Sequence, residues 1–304
     1  MQFLYWLESI RNPFWDAFFS AITHLGSETL FIVLAIAMFW CANKRSGYYL
    51  MTVGFFGTMV NQFLKLSFRI PRPWVRDPQF TIVEAARADA TGYSFPSGHT
   101  QSVTAVLGCP ARASRSEVLR TAAITLILLT ALSRMYLGVH TPADVGVSLG
   151  LGTLMVLVFY PLFENGDQKP GRMLGAMGLL FACSVAFVLY CELGQWPADV
   201  DAYNLEHGYE NSYLLMGCSA AMLLSCWIER RYIRFETKAI WWAQILKLVG
   251  GFAIIVLIKS LLKSPLNALF GAEVGGFVRY FLMVLAAGAA WPLTFRFFSK
   301  LGNK

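Results

Sequence analysis

Residues 133–144 read SRMYLGVHTPAD, and the rest of the chain is organised around this stretch, because it ends one strongly apolar segment and begins the next. The pattern predicts a short loop between two helices. Thr141 is a typical N-cap, Pro142 suits the first helical position, and Asp144 is the third-position acid of a capping box. His140 would then lie at the positive end of a helix, where bound anions are stabilised.

The spacing of His140 and Asp144 also suits nucleophilic chemistry. An acid within reach of one imidazole nitrogen leaves the other nitrogen free to act as a base or nucleophile. Arg134, at the end of the preceding apolar segment, adds a guanidinium suited to phosphate oxygens. The same residues also allow a purely structural interpretation, in which Asp144 only caps its helix and His140 is an ordinary polar loop residue.

The composition of the 304 residues places the chain in a membrane. Hydrophobic residues make up 56% and charged residues only 14%, whereas a soluble domain carries about 25% charged residues. The net charge of +7 could indicate nucleic acid, but Lys and Arg lie mostly in short loops, as the positive-inside bias predicts. No basic stripe interleaved with aromatics occurs, so no nucleic-acid partner is expected. The cysteines form no CxxC pair and no acidic cage is evident, so we expect no metal and no cofactor.

The apolar segments predict an all-α fold, a polytopic membrane helical bundle of about nine spanning helices. Residues 1–24 are interrupted by charges and rich in aromatics, which favours an N-terminal helix lying in the membrane interface. The spans are predicted at 27–42, 47–66, 98–111, 117–136, 142–163, 174–193, 210–228, 239–262 and 275–298.

Basic loops alternate along the chain and set the predicted orientation. The loop 194–209 carries acids but no Lys or Arg, and it is placed outside the cell. The loops 67–97 and 134–141 fall on the same side, although they carry arginines against the rule, and that exception requires a cause. The connections placed in the cytoplasm are those around 44–45, 112–120, 169–172, 230–238 and 296–304.

Two further polar clusters fall on the predicted outer side. Lys65 ends the second predicted span, and Arg72 follows it in KLSFRIPRP. In YSFPSGHT, Ser97 and Gly98 stand where a helix N-terminus can direct backbone N–H groups at an anion, and His99 follows. Each cluster also has a structural interpretation, as a snorkelling lysine, a headgroup anchor or an ordinary turn. Together with Arg134, these two clusters would form a site for a doubly charged phosphate.

The three stretches together resemble the type 2 phosphatidic acid phosphatase superfamily, which also includes vanadium haloperoxidases and glucose-6-phosphatase. The shared pattern is KxxxxxxRP, then PSGH, then SRxxxxxHxxxD, and the resemblance covers roughly residues 10–163. The matching residues are Lys65, Arg72, Pro73, Pro96, Ser97, Gly98, His99, Ser133, Arg134, His140 and Asp144.

The resemblance implies a role for each polar residue of the pattern. His140 is implied to be the nucleophile that takes the phosphoryl group as phosphohistidine, with Asp144 orienting it. His99 is implied to protonate the leaving oxygen and then to activate water. No metal takes part in this mechanism. The implied phosphate-binding residues are Lys65, Arg72, Arg134, Ser97 and Gly98.

The resemblance therefore predicts an integral-membrane lipid phosphatase that acts on the extracytoplasmic face of a bacterial plasma membrane. Expected substrates are prenyl pyrophosphates, phosphatidylglycerol phosphate, phosphatidic acid or sphingoid-base phosphates. Two alternatives stay open: a lipid phosphotransferase, and a lipid transporter or flippase that retains a phosphate site. The complete set of acid, nucleophile and orienting carboxylate argues against the transporter, because binding alone does not require it.

A polar hinge at 164–173 predicts two domains. Residues 1–163 would form the phosphatase core, and residues 164–304 a C-terminal four-helix membrane module of unknown role. The module is rich in small residues, which let helices approach closely in lipid. We expect it to pack against the core or against a second copy of itself, so a homodimer is among the expected arrangements.

Overall fold

The computed structural model describes residues 1–198 and 200–301, and every regular element within them is helical, which confirms the all-α prediction. Residue 199 of the loop 194–209 and residues 302–304 of the last basic segment lie outside the described residues. The α-helices are α1 Gln2–Ser9, α2 Pro13–Thr23, α3 Glu28–Ala37, α4 Lys44–Phe68, α5 Pro73–Arg76, α6 Gly98–Ala113, α7 Glu117–Tyr136, α8 Pro142–Glu164, α9 Pro170–Leu193, α10 Ala202–Ile228, α11 Trp241–Leu261, α12 Lys263–Leu285 and α13 Phe295–Phe298.

Within the described residues, six helical runs are long and apolar enough to cross a membrane. A seventh arises if Pro13–Gly26 and Glu28–Ala42, which meet at 47°, form one broken span. The predicted count of nine is therefore not confirmed, and the interfacial position of residues 1–24 stays a prediction. The six runs are Glu117–Tyr136, Pro142–Glu164, Pro170–Leu193, Ala202–Ile233, Trp241–Leu261 and Lys263–Phe298.

Three predicted spans lie outside those six runs: 27–42 is part of the possible broken span, and the other two fall on α4 and α6. Helix α4 has 25 residues, but Asn61, Gln62 and Lys65 reduce its apolar character. Helix α6 has 16 residues, which at ~1.5 Å per residue falls short of a hydrocarbon layer of ~30 Å. Both helices carry predicted site residues at one end, and those residues account for part of their polarity.

The described chain forms two compact units. The first comprises residues 1–34, 56–161 and 200–205, and it contains all of the predicted site residues. The second comprises the remaining described residues. The sequence-based division into residues 1–163 and 164–304 stays a prediction.

A hydrophobic cluster in the first unit fixes the end of α7. Side chains from α1, α2 and the loop after α5 close around Tyr136 and Leu137, which are fully buried. The Tyr136 hydroxyl donates to Asp16 Oδ1 at 2.7 Å, and Arg11 Nε donates to the Tyr136 carbonyl at 3.0 Å. The N-terminal helices thereby hold the point at which the loop carrying His140 begins.

Gly138 makes the turn from α7 into that loop. Its φ of +81° lies in the left-handed region that favours glycine. A side chain there would also collide, because an ideal Cβ would lie 2.7 Å from Arg11 Nη2 and 3.0 Å from the Thr81 carbonyl oxygen. The turn thus requires glycine, and the chain then passes directly into His140.

Polar contacts between helices hold the second unit together, and the partly exposed Lys44 takes part in one of them. Lys44 Nζ lies 2.6 Å from Glu229 Oε1, and the hydroxyls of Ser184 in α9 and Ser219 in α10 are 2.7 Å apart. Small residues with side-chain hydrogen bonds let helices pack closely in an apolar medium. These contacts therefore specify how the helices of this unit pair.

Candidate active site

The predicted motifs meet within the first unit, where direct contacts join them. The Ser97 N–H donates to the Asp144 carbonyl at 3.2 Å, and Ser94 Oγ donates to Asp144 Oδ2 at 2.6 Å. Arg72 Nη1 lies 3.0 Å from His140 Nε2. KLSFRIPRP thus contacts SRMYLGVHTPAD through Arg72 and His140, and YSFPSGHT contacts it through Asp144.

The capping box predicted at the start of α8 is present. The Thr141 N–H donates to Asp144 Oδ2 at 2.7 Å, and the Asp144 N–H donates to Thr141 Oγ1 at 3.3 Å. Pro142 is the first residue of the helix. These reciprocal bonds fix the Asp144 carboxylate beside the loop that carries His140.

His140 is buried, with its ring between a carboxylate and a guanidinium. Nδ1 lies 3.6 Å from Asp144 Oδ2, and Nε2 lies 3.0 Å from Arg72 Nη1. Arginine can only donate, so these neighbours assign Nε2 as the acceptor and place the ring proton on Nδ1, toward the carboxylate. Nε2 therefore carries the lone pair on the cationic side, as a nucleophilic imidazole requires.

The surroundings of His140 favour its neutral form. Burial lowers the pKa of His140 well below its ordinary value, and the positive charges of Arg72, Arg134 and Lys65 lower it further, as does His99. Each of these groups opposes a positive charge on the ring. The imidazole thus keeps its lone pair at neutral pH.

Backbone carbonyls hold the Arg72 guanidinium in place. Nη2 donates to Thr91 at 2.6 Å, Nε to Gly92 at 3.1 Å, and Nη1 to Val139 at 2.9 Å. Burial lowers the pKa of Arg72 to about 10, so the group remains charged at neutral pH. A fixed guanidinium beside His140 Nε2 is well suited to a phosphate oxygen.

Lys65 and Arg134 supply two further buried cations. Lys65, in the last turn of α4, donates to the Tyr93 carbonyl. Arg134 is fully buried, and its Nη1 donates to Thr23 Oγ1 at 2.7 Å. Arg134 Nε and Nη2 have no hydrogen-bond partner among the described residues. Because unpaired buried donors are costly, these two nitrogens indicate a ligand that accepts hydrogen bonds.

The PSGH stretch forms the start of α6. Ser97 is its N-cap and accepts a hydrogen bond from the Thr100 N–H at 3.4 Å. Gly98 and His99 open the helix, where backbone N–H groups favour an anion. An ideal Cβ on Gly98 would have Asn61 Oδ1 as its nearest described neighbour, at 3.9 Å. A ligand could therefore approach this backbone closely.

Two residues that the sequence analysis did not single out support the site. Ser94 donates to Asp144, and Thr23 accepts from Arg134; both side chains are buried. The paired residues are 50 and 111 positions apart in sequence, so local spacing could not reveal either contact. The position of Ser94 inside YSFPSGHT is a weak indication of a role in the site, whereas Thr23 lies in no motif that could indicate one.

The donor set of the site suits an anion. Arg72 contacts the neutral imidazole nitrogen of His140, and the positive charges of Arg134 and Lys65 also act on this ring. Such a set of cations complements the charge of a phosphate. Among the described residues, no three His, Cys, Asp or Glu side chains lie close enough together to hold a metal ion.

Two family models match the chain. The model described as PAP2 superfamily matches residues 45–167, which include Lys65, His99 and His140. The model described as PAP2 superfamily phosphatase, transmembrane extension, matches residues 213–304. No solved structure matches the chain with significance.

Curated relatives match over different parts of the chain. Phosphatidylglycerophosphatase B of Bacillus subtilis (strain 168) is 29% identical over 182 residues, covering 54% of this chain and 80% of the relative. Undecaprenyl-diphosphatase BcrC of the same organism is 32% identical over 130 residues, covering 42% and 64%. A Dictyostelium discoideum protein named "Probable sphingosine-1-phosphate phosphatase" is 24% identical over 243 residues, covering 74% and 57%.

Proposed function

We propose that this chain, which belongs to the PAP2 superfamily and is an integral-membrane phosphatase, hydrolyses a lipid phosphate or pyrophosphate through a phosphohistidine at His140. The observation that carries the proposal is the position of the His140 ring. Nδ1 faces Asp144, while Nε2 faces Arg72 within a cluster of buried cations. That arrangement combines a nucleophile with a binding site for the group it attacks.

In the first step, His140 Nε2 attacks the substrate phosphorus, and the bond from phosphorus to the leaving oxygen breaks. His99 gives its proton to that oxygen, so the leaving group departs as an alcohol or, from a pyrophosphate, as a phosphate. The ring of His140 becomes cationic, and the Asp144 carboxylate near Nδ1 stabilises that charge. Lys65, Arg72 and Arg134 offset the negative charge of the transferring group.

In the second step, a water molecule attacks the phosphohistidine. His99, now neutral, accepts a proton from the water as the bond from phosphorus to Nε2 breaks. Inorganic phosphate leaves, His140 returns to its neutral form, and His99 is again protonated. Replacing the water with a lipid alcohol would turn the same two steps into phosphate transfer.

We propose a lipid substrate because of the apolar helices around the site and the nature of the relatives. The relatives are named for phosphatidylglycerophosphate, undecaprenyl diphosphate and sphingosine-1-phosphate. The feature that these three lipids share is a terminal phosphate on a long-chain lipid. Loops 67–97 and 134–141 are assigned to the extracytoplasmic side. Arg72 and Arg134 of these loops then serve phosphate binding, which accounts for part of the exception to the positive-inside rule.

The test is phosphate release from a panel of lipid phosphates by the full-length protein in detergent, with EDTA present. We expect release from at least one prenyl or glycerolipid substrate. His140→Ala should abolish it, since losing one member of a concerted site costs several orders of magnitude in rate. His207→Ala, which alters a histidine of the second unit, is the matched control and should retain activity.

Each other outcome contradicts a part of the proposal. Normal turnover by folded His140→Ala protein would remove the nucleophile. Phosphate release that EDTA abolishes would contradict a metal-independent mechanism. Transfer of phosphate to an added lipid alcohol, without release to water, would favour the phosphotransferase.

A further inference from the structure

Thr23 contacts one of the buried cations of the site from outside the three motifs. It is the last residue of α2, it is only 3% exposed, and its Oγ1 accepts a hydrogen bond of 2.7 Å from Arg134 Nη1. Arg134 is fully buried in α7. A helix outside the segment that the PAP2 superfamily model matches, residues 45–167, thus contacts a proposed phosphate-binding cation.

The bond to Thr23 restrains the guanidinium. The group is planar, rigid and joined to the chain through Nε, so a hydrogen bond at Nη1 limits the directions of the other donors. Nε and Nη2 lie along one edge of the plane, where two parallel N–H groups can bind two oxygens of one phosphate. These are the two Arg134 nitrogens that have no hydrogen-bond partner among the described residues.

A second contact ties the same short segment to the acid of the site. Gly26 ends the 3₁₀ turn that follows Thr23. An ideal Cβ on Gly26 would lie 2.4 Å from the carbonyl oxygen of His99, so glycine allows the two backbones to touch. Residues 23–26 therefore contact both Arg134 and the backbone of His99.

We propose that Thr23 is a positioning residue for phosphate recognition: it holds Arg134 so that the Nε and Nη2 edge faces the transferring phosphate. The proposal rests on the phosphatase function above. The competing possibility is that the hydroxyl serves only folding, as many buried hydroxyls do. The two differ in whether the effect of Thr23 depends on Arg134.

The first experiment compares Thr23→Val with Thr23→Ser in the full-length protein. Valine keeps the shape and removes the acceptor, so kcat/KM should fall about tenfold to a hundredfold, in line with a hydrogen bond to a charged group. Serine keeps the acceptor and should stay within about threefold of the parent. Thr130→Val, at a buried threonine whose hydroxyl donates to Leu126 in its own helix, is the matched control and should not change kcat/KM.

The second experiment is a double-mutant cycle with Arg134→Ala. If Thr23 acts through Arg134, Thr23→Val should cause no further loss of kcat/KM in the Arg134→Ala background. Inhibition by orthovanadate, which adopts the geometry of a transferring phosphate, should weaken about as much in Thr23→Val as kcat/KM falls.

Equal losses from Thr23→Val in both backgrounds, or an unchanged kcat/KM in Thr23→Val, would overturn the proposal. Both results require an active parent enzyme. A parent that releases no phosphate from any substrate would instead overturn the proposed function, so the two failures are distinguishable.

Discussion

At the scale of single residues, Asp144 does two things at once. Its Oδ2 accepts from the Thr141 N–H and from Ser94 Oγ, and it lies 3.6 Å from His140 Nδ1. The first contact belongs to the N-terminal cap of α8, the second joins Asp144 to the loop before α6, and the third faces the proposed nucleophile. The sequence left open whether the acid is a cap or an orienting group, and the geometry is compatible with both.

Asp144→Asn separates these two tasks. The amide oxygen of asparagine can still accept from the Thr141 N–H at this third position of the capping box, so the fold should persist, but the neutral amide cannot stabilise a cationic His140. We expect kcat to fall by several orders of magnitude with little change in thermal stability. Asp16→Asn, at a carboxylate that accepts from the Tyr136 hydroxyl, is the control and should keep its kcat. Full activity in Asp144→Asn would leave the acid as a helix cap alone.

Local spacing explains which site contacts could be predicted. The capping box joins residues three positions apart, so the sequence pattern predicted it, and the His140–Asp144 pairing followed from the same short stretch. Ser94 and Thr23 could not be predicted in the same way. Their partners are brought to them only by the packing of distant helices, and hydroxyl side chains are too common in helices to indicate a site.

At the scale of helices, the packing of α6 against α8 positions the second motif relative to the third. An ideal Cβ on Gly152 of α8 would lie 2.8 Å from Thr104 Cγ2 of α6, whereas a Cβ on Gly150 would have no described atom within 4 Å. Glycine at 152 therefore permits the close approach, which small residues commonly provide between membrane helices.

Gly152→Ala should force α6 and α8 apart. Overpacking of this kind costs about 1–3 kcal/mol, so we expect a lower unfolding temperature in detergent and a reduced kcat, because Ser97 and Asp144 sit at the ends of these helices. The matched variant Gly150→Ala should be neutral or slightly stabilising, since alanine favours helix by up to about 1 kcal/mol over glycine. Equal unfolding temperatures for the two variants would contradict the packing argument.

The apolar pattern of the sequence predicted the positions of the helices, but it did not predict how many of them span the membrane. Each predicted span falls on an observed helix, and α7 has the predicted bounds of 117–136. The count of nine is not confirmed because the pattern cannot distinguish a spanning helix from one like α6, which is short and bears polar site residues at its start. The same ambiguity holds for residues 1–24, whose helices contact the end of α7.

At the scale of the whole molecule, the proposed reaction requires the site to face the extracytoplasmic side. We expect Gln79→Cys to react with an impermeant maleimide in intact cells, in a background that lacks the six native cysteines. Arg231→Cys should react only after permeabilisation. Both positions are exposed, so access depends on the membrane. The reverse labelling pattern would contradict the orientation and an extracytoplasmic substrate.

Residues 164–304 contain none of the three motifs of the site. Residues 213–304 match the transmembrane extension model, and their apolar helices make the chain an integral membrane protein. That this module shapes the route of the lipid, and that the chain forms a homodimer, stay predictions, because packing of small residues indicates helix contact without indicating the partner.

The proposed mechanism requires that His140 carries the phosphoryl group, and trapping the phosphoenzyme detects this intermediate. A ³²P-labelled aryl phosphate is suitable because its leaving group needs little protonation, so the first step survives in His99→Ala while water activation is lost. After an alkaline quench, we expect His99→Ala protein to retain label that acid releases, as phosphohistidine does, on the peptide containing His140. His140→Ala protein should retain none. Label that persists in His140→Ala, or continued turnover by His99→Ala without any trapped label, would contradict the account.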